Sequence, residues 1–181
     1  CPGLWDLQCR QKVVPFTQSI YTCFGTAMHE TIQEWLTVMY HDKVKAANDI
    51  NLHKLLYANL VKSYKQGLAV NGEHFSTPEE LTQFWLDGKH ILDYLTKKRA
   101  AYFSTKTMML AGVETLLYQE IKPGVMFKGL IDLVFYHPVN DTWTIMDIKS
   151  STSGWRDNQK KSPNLTAQVV LYKEFFANQF D

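Results

Sequence analysis

The chain is poor in cysteine. Its three (Cys1, Cys9 and Cys23) are an odd number in 181 residues and lack CxxC spacing. That argues against a disulfide framework and for a reducing compartment. Long apolar runs are missing too. No stretch approaches the roughly 18 uninterrupted apolar residues of a membrane span. The opening CPGLWDLQCR has no apolar segment of the kind a signal peptide needs. No membrane partner is expected, and a cytoplasmic location is. The opening also lacks an initiator Met, which reads as a chain beginning inside a longer one. Nor does one sign of charge dominate: nineteen Lys and Arg stand against eighteen Asp and Glu, a formal +1. A wholly basic nucleic-acid coat is excluded, so any site for a polyanion must be local. Internal repeats and low-complexity tracts are absent.

What the chain does have is material for a core. Hydrophobic residues make up 45% and charged residues 20%, with ten Phe, nine Tyr and five Trp. These values fit one packed domain over 1–181 and exclude collagen-like, coiled-coil and disordered classes. The charge is uneven. Lys97, Lys98, Arg99 and Lys106 form one basic island with no acid among them. Lys149, Arg156, Lys160 and Lys161, against Asp157, form another. The rest of the chain is acidic on balance. Two basic islands on an acidic body suit a focused anion site, with a solvated face as the plain alternative.

Periodicity divides the chain into a mainly helical part, 1–112, and a sheet with a closing helix, 113–181. Met28, Ile32, Trp35 and Met39 recur at helical spacing, which predicts a helix over 26–40 with Gly25 as the break before it. A second helix is predicted over 49–66, with Leu52, Leu55, Leu56 and Leu60 inward. Thr77-Pro78-Glu79-Glu80 combines a cap, a first-turn proline and a capping box, so a third helix starts there. After about residue 113 the pattern turns to strands: TLLYQEI, VMFKGLIDLVFY and TWTIMDIK. Pro123-Gly124 and residues 137–141 separate them. Ser162-Pro163 opens a last helix carrying Leu165, Val169, Tyr172 and Phe176. The order of helices, antiparallel strands and helix gives a mixed α/β or α+β class.

Alternation puts Trp143, Ile145, Asp147 and Lys149 on one strand face, and Leu130, Asp132 and Val134 on one face of the strand before. If residues 138–141 form the hairpin loop, His137 opposes Thr142 and Asp132 falls opposite Asp147. Two carboxylates and a lysine on an otherwise apolar face are costly to bury unless a divalent cation compensates them. Oxygen ligands favour Mg²⁺ or Mn²⁺ over Zn²⁺. An exposed cross-strand ion network is the competing reading. His29 lies at the edge of the apolar stripe of its helix, either as a ligand or as a satisfied core histidine. Gln168 and Tyr172, four apart, share a helical face.

Five pieces of the sequence go together. They are Cys1-Pro2 followed by Trp5, Gly25-Thr26-Ala27-Met28-His29-Glu30, Gly129-Leu130-Ile131-Asp132, Asp147-Ile148-Lys149-Ser150 and Gln168-Val169-Val170-Leu171-Tyr172. In this order they resemble the RecB-like branch of the PD-(D/E)XK nuclease superfamily, with its GxxxH helix, GxxD strand, DxK strand and QxxxY helix. The segments GVETLLYQEIKPGVMFKGLIDLVF and DIKSSTSGW resemble compact phage-type exonucleases of that branch. The resemblance implies a restriction-endonuclease-like core, with a central mixed sheet flanked by helices and an N-terminal helical region. It further implies a metal site of His29, Asp132, Asp147 and the backbone carbonyl of Ile148, filled by Mg²⁺ or Mn²⁺. Lys149 would sit beside the attacking water, while Gln168 and Tyr172 would support the site. Glu114 lies where relatives often carry an acid, with a surface role the favoured reading. Some relatives hold an iron–sulfur cluster on four cysteines; no cysteine follows Cys23 here, so no cluster is expected.

The expected activity is metal-dependent DNA hydrolysis, acting as an exonuclease on a single strand or a duplex end, in replication, recombination or repair. Trp155, Arg156, Lys160 and Lys161 would hold the strand by stacking and phosphate contact, although Trp155 equally suits a loop anchor. The competing function is a non-catalytic DNA-binding or assembly module that keeps the nuclease fold. Intact Asp132, Asp147 and Lys149 argue against it.

Overall fold

The computed structural model describes residues 10, 11, 13, 17–150 and 161–180. Cys1, Pro2, Trp5, Cys9, Trp155, Arg156 and Lys160 lie outside them. The first long helix, α1, runs Ile20–Thr37 and starts earlier than its apolar stripe alone predicts. Ser19 and Thr22 form a reciprocal capping box, which satisfies the free N–H groups of the first turn before Gly25 is reached. Gly25 is therefore inside the helix and not a break. A π-helical segment, Val38–Asp42, follows, then a short helix, α2, at Val44–Asp49.

The next helix, α3, spans Leu52–Asn71, capped by Asn51 and ended by Gly72. Gly72 has φ 76°, the left-handed conformation that glycine adopts without a Cβ penalty. This helix is longer than the predicted 49–66, because the turn residues of 67–71 give way to helix until Gly72. The fourth, α4, spans Pro78–Lys97 with the predicted Thr77–Glu80 capping box; a single turn, α5, covers Arg99–Tyr102.

Three strands follow: β1 at Met109–Lys122, β2 at Val125–His137 and β3 at Thr142–Met146. They form a sheet of order β1-β2-β3, antiparallel throughout. Among the described residues the sheet is thus antiparallel and not mixed, because both connections are short hairpin loops. Lys122 pairs with Val125 across Pro123-Gly124, and His137 pairs with Thr142 as the loop length predicts. Strand β1 starts before the predicted 113, at Met109. Strand β3 ends at Met146, so Asp147 and Lys149 lie just past the strand. The last helix, α6, is Pro163–Phe180. Among the described residues, no helix is long and apolar enough to cross a membrane.

The chain is a mixed helix-and-sheet protein, and its described residues form two buried clusters. The larger surrounds α1 and joins Met28, Trp35 and Leu36 to Leu56 and Leu60 of α3, Phe84 and Leu92 of α4, and Leu133 and Phe135 of β2. The smaller joins Leu117, Ile131 and Val134 of the sheet to Tyr172 of α6. Residues 131–135 of β2 are all buried, as expected of a strand covered on both faces. Asp132 sits within that run.

Candidate metal centre

Asp132 is a carboxylate among apolar neighbours, and its partners come from distant stretches of chain. Its Oδ2 accepts the Ile148 N–H at 2.6 Å. Its Oδ1 lies 3.6 Å from Nδ1 of His29. His29 in turn donates from Nε2 to the Ile148 carbonyl at 2.6 Å. That bond puts the proton of a neutral imidazole on Nε2 and leaves the Nδ1 lone pair on the Asp132 side. Gly25, one turn before His29, lies beside Ser150, where a Cβ would stand in ordinary contact 3.6 Å from Ser150 Oγ. In this arrangement His29 and the Ile148 carbonyl engage each other, on the side of Asp132.

Glu114 is at the site. Its backbone has φ 50°, a left-handed conformation that non-glycine residues adopt at a cost of about 1–3 kcal/mol. Pairs on either side, Val113 with Leu133 and Thr115 with Ile131, set Glu114 and Asp132 at facing positions of adjacent strands. His29, Glu114 and Asp132 offer ligand atoms that all lie within 4.8 Å of one another. Although Glu114 is exposed, its Oε1 accepts from Gln33 Nε2 at 2.5 Å. Gln33 is buried and lies one helical turn after His29, so one face of α1 presents both side chains. Sequence reasoning misses Gln33. Its i+4 spacing from His29 is the available signal.

Asp147 and Lys149 stand beside this group. The register that pairs Leu133 with Met146 continues to Asp132 and Asp147, so the two carboxylates fall at facing positions even though pairing has ended. Lys149 Nζ lies 2.9 Å from Asp147 Oδ2 and donates to Oδ1 at 3.3 Å. The Asp147 side chain is only 10% exposed, while that of Lys149 is 37% exposed. Gln168 Nε2 reaches Asp147 Oδ1 at 3.3 Å and the Tyr172 hydroxyl at 3.0 Å. Tyr172 lies over Gly129, where a Cβ would come within 2.8 Å of its ring. On β2, just ahead of Asp132, Gly129 therefore makes room for the tyrosine of α6. Lys161 is exposed.

Burial pushes the Asp132 carboxyl above the usual carboxylate range. The Ile148 N–H and His29 oppose the rise, and the charges of Asp147 and Glu114 add to it. The protein by itself leaves this group's charge under-compensated. A divalent cation would supply the compensation, and the donor set fits one: an imidazole nitrogen and two carboxylates at separations close to the span of a single ion's ligands. Compared with family models, curated proteins and solved structures, the chain matches none of them.

Proposed function

We propose that this chain is a metal-dependent DNA nuclease with a restriction-endonuclease-like core, an exonuclease of the RecB-like branch that uses Mg²⁺ or Mn²⁺. One observation carries the reading. Groups from four separated motifs meet around Asp132: His29 from α1, Glu114 from β1, the 147–149 segment after β3, and Gln168 of α6 through Asp147.

His29, Glu114 and Asp132 would hold the ion, with Asp147 the adjoining carboxylate. When bound, the ion acidifies water and neutralises charge on a phosphate oxygen. Lys149 supplies a positive charge beside Asp147, suited to orient the attacking hydroxide and to stabilise charge developing on the phosphate. Asp147 keeps that ammonium in place by ion pairing. Gln168 holds Asp147 from α6, and Tyr172 fixes Gln168. Glu114 and His29 are both tied to α1, the first through Gln33, so the ligand set rests on the largest core of the protein.

The test is incubation of the protein with end-labelled linear DNA and with covalently closed circles, in Mg²⁺, in Mn²⁺ and in excess EDTA. Linear DNA should shorten only with metal, and circles should persist. Undiminished cleavage in EDTA overturns the metal requirement. Rapid cutting of closed single-stranded circles makes the enzyme an endonuclease. Neither cleavage nor binding of any DNA overturns the nuclease reading.

A further inference from the structure

Asp132 and Glu114 share a feature: each has one carboxylate oxygen held by a donor from a distant stretch of chain. Asp132 Oδ2 takes the Ile148 N–H at 2.6 Å, while its Oδ1 lies on the side of His29. Glu114 Oε1 takes Gln33 Nε2 at 2.5 Å. The same Nε2 lies 3.5 Å from the Asp132 carbonyl oxygen. Both neighbours are acceptors, so the NH₂ end of the Gln33 amide is the end that faces them. Gln33 is only 8% exposed, and it belongs to α1, whose apolar residues are the centre of the large cluster. A buried amide on a packed helix has little room to follow Glu114 if that side chain turns. Glu114 also departs from a left-handed backbone, φ 50°, so main chain and Gln33 together aim its carboxylate.

Hard cations differ in how they use a carboxylate. Mg²⁺ demands near-octahedral geometry at about 2.0–2.1 Å, with single oxygens and water filling the shell. Mn²⁺ suits the same octahedral arrangement. Ca²⁺ takes about six to eight oxygens at longer distances, and carboxylates that bind through both atoms help to supply them. A carboxylate with one oxygen held by the protein suits the first mode and opposes the second. We infer that Gln33 is a positioning residue: it holds Glu114 as a one-oxygen ligand and thereby sets a preference for Mg²⁺ and Mn²⁺ over Ca²⁺. Gln33 acts through Glu114 and touches neither ion nor substrate. The inference rests on the metal centre of the nuclease reading and adds to it what selects the ion.

The test uses the full chain and the metals alone, without DNA. Free Mn²⁺ gives a sharp electron paramagnetic resonance signal that falls as the ion binds, and Ca²⁺ is titrated in as competitor. The wild type should hold Mn²⁺ more tightly than Ca²⁺. Gln33→Met keeps the side-chain length and removes the amide. It should weaken Mn²⁺ by about 10–100-fold, the usual cost of losing the partner of a metal ligand. Ca²⁺ should weaken less, because Glu114 is then able to offer both oxygens. The Mn²⁺-over-Ca²⁺ ratio should therefore fall by about tenfold. Gln33→Leu is the second variant, and melting temperatures check that each folds. A merely structural role would weaken both ions together, so an unchanged ratio overturns the inference even if metal-dependent cleavage is intact. A wild type that leaves the free Mn²⁺ signal undiminished overturns the metal centre and the inference with it. A lowered ratio without cleavage of any DNA supports the inference and overturns only the nuclease reading.

Discussion

Among the described residues, twenty buried ones from helices and sheet form one cluster around α1, whereas four join the sheet to α6. Each cluster holds part of the site. The large one immobilises His29 and Gln33, which reach Asp132 and Glu114. The small one supports Gln168 through Tyr172, which reaches Asp147. A fully buried aliphatic or aromatic side chain contributes about 1.5–3 kcal/mol, so the first cluster carries most of the fold's stability. The difference separates two jobs. Ligand donors that must be preorganised sit on the rigid side, and the contact that adjusts Asp147 sits on the lightly anchored side.

The largest effect should come from the chemistry and leave both clusters alone. Lys149→Ala should lower turnover by about 10²–10⁴-fold, with the melting temperature kept, because the lysine is partly exposed. Near-normal kcat on end-labelled DNA would make Lys149 structural.

Next comes the contrast in stability itself. Leu→Ala in a core costs about 2–5 kcal/mol in denaturant unfolding; Leu36→Ala in the large cluster should fall at the upper end of that range and Leu117→Ala in the small one at the lower end. Equal losses would show that the two clusters unfold as one evenly stabilised unit.

Metal should stabilise the fold, by about 2.7 kcal/mol at one hundred times its Kd. The increment has a definite pH sign. The raised Asp132 carboxyl takes up a proton at a higher pH in the folded chain than in the unfolded one, so metal-free stability rises as pH falls through that range. The ion needs the carboxylate, and protons compete with it. The melting increment with Mn²⁺ should therefore be largest at neutral pH and shrink on acidification. An increment that is flat with pH would remove Asp132 from the ligand set.

The smallest effect expected is Tyr172→Phe, which deletes the hydroxyl that Gln168 bonds and should cost about 0.5–1.5 kcal/mol. Activity should fall by less than in Lys149→Ala, because Gln168 keeps its reach to Asp147. A loss of activity as large as that of Lys149→Ala would place Tyr172 in contact with substrate.

Much of this arrangement is legible in residue order. The Thr77-Pro78-Glu79-Glu80 start, the Pro123-Gly124 turn and the 138–141 loop are local signals, set by capping and turn chemistry within a few residues. The hairpin loop length also fixes the facing of Asp132 and Asp147, since register follows from the turn. Other parts are not legible. Gly25 reads as a break, because its use as a place where α1 approaches Ser150 depends on a segment far away in the chain. Glu114 reads as a surface acid, because only its left-handed backbone and the bond from Gln33 turn it to the site.

The sequence by itself determined the element types, the hairpin register and the identities of Asp132, Asp147 and Lys149 as a facing set. Periodicity, capping and loop length act over short distances and need no knowledge of the rest of the fold. Only the tertiary structure decided that His29, Gln33 and Glu114 meet Asp132, and that the Ile148 carbonyl is engaged by His29. Those depend on how α1 packs against the end of the sheet, and packing is settled by the shapes of many side chains at once.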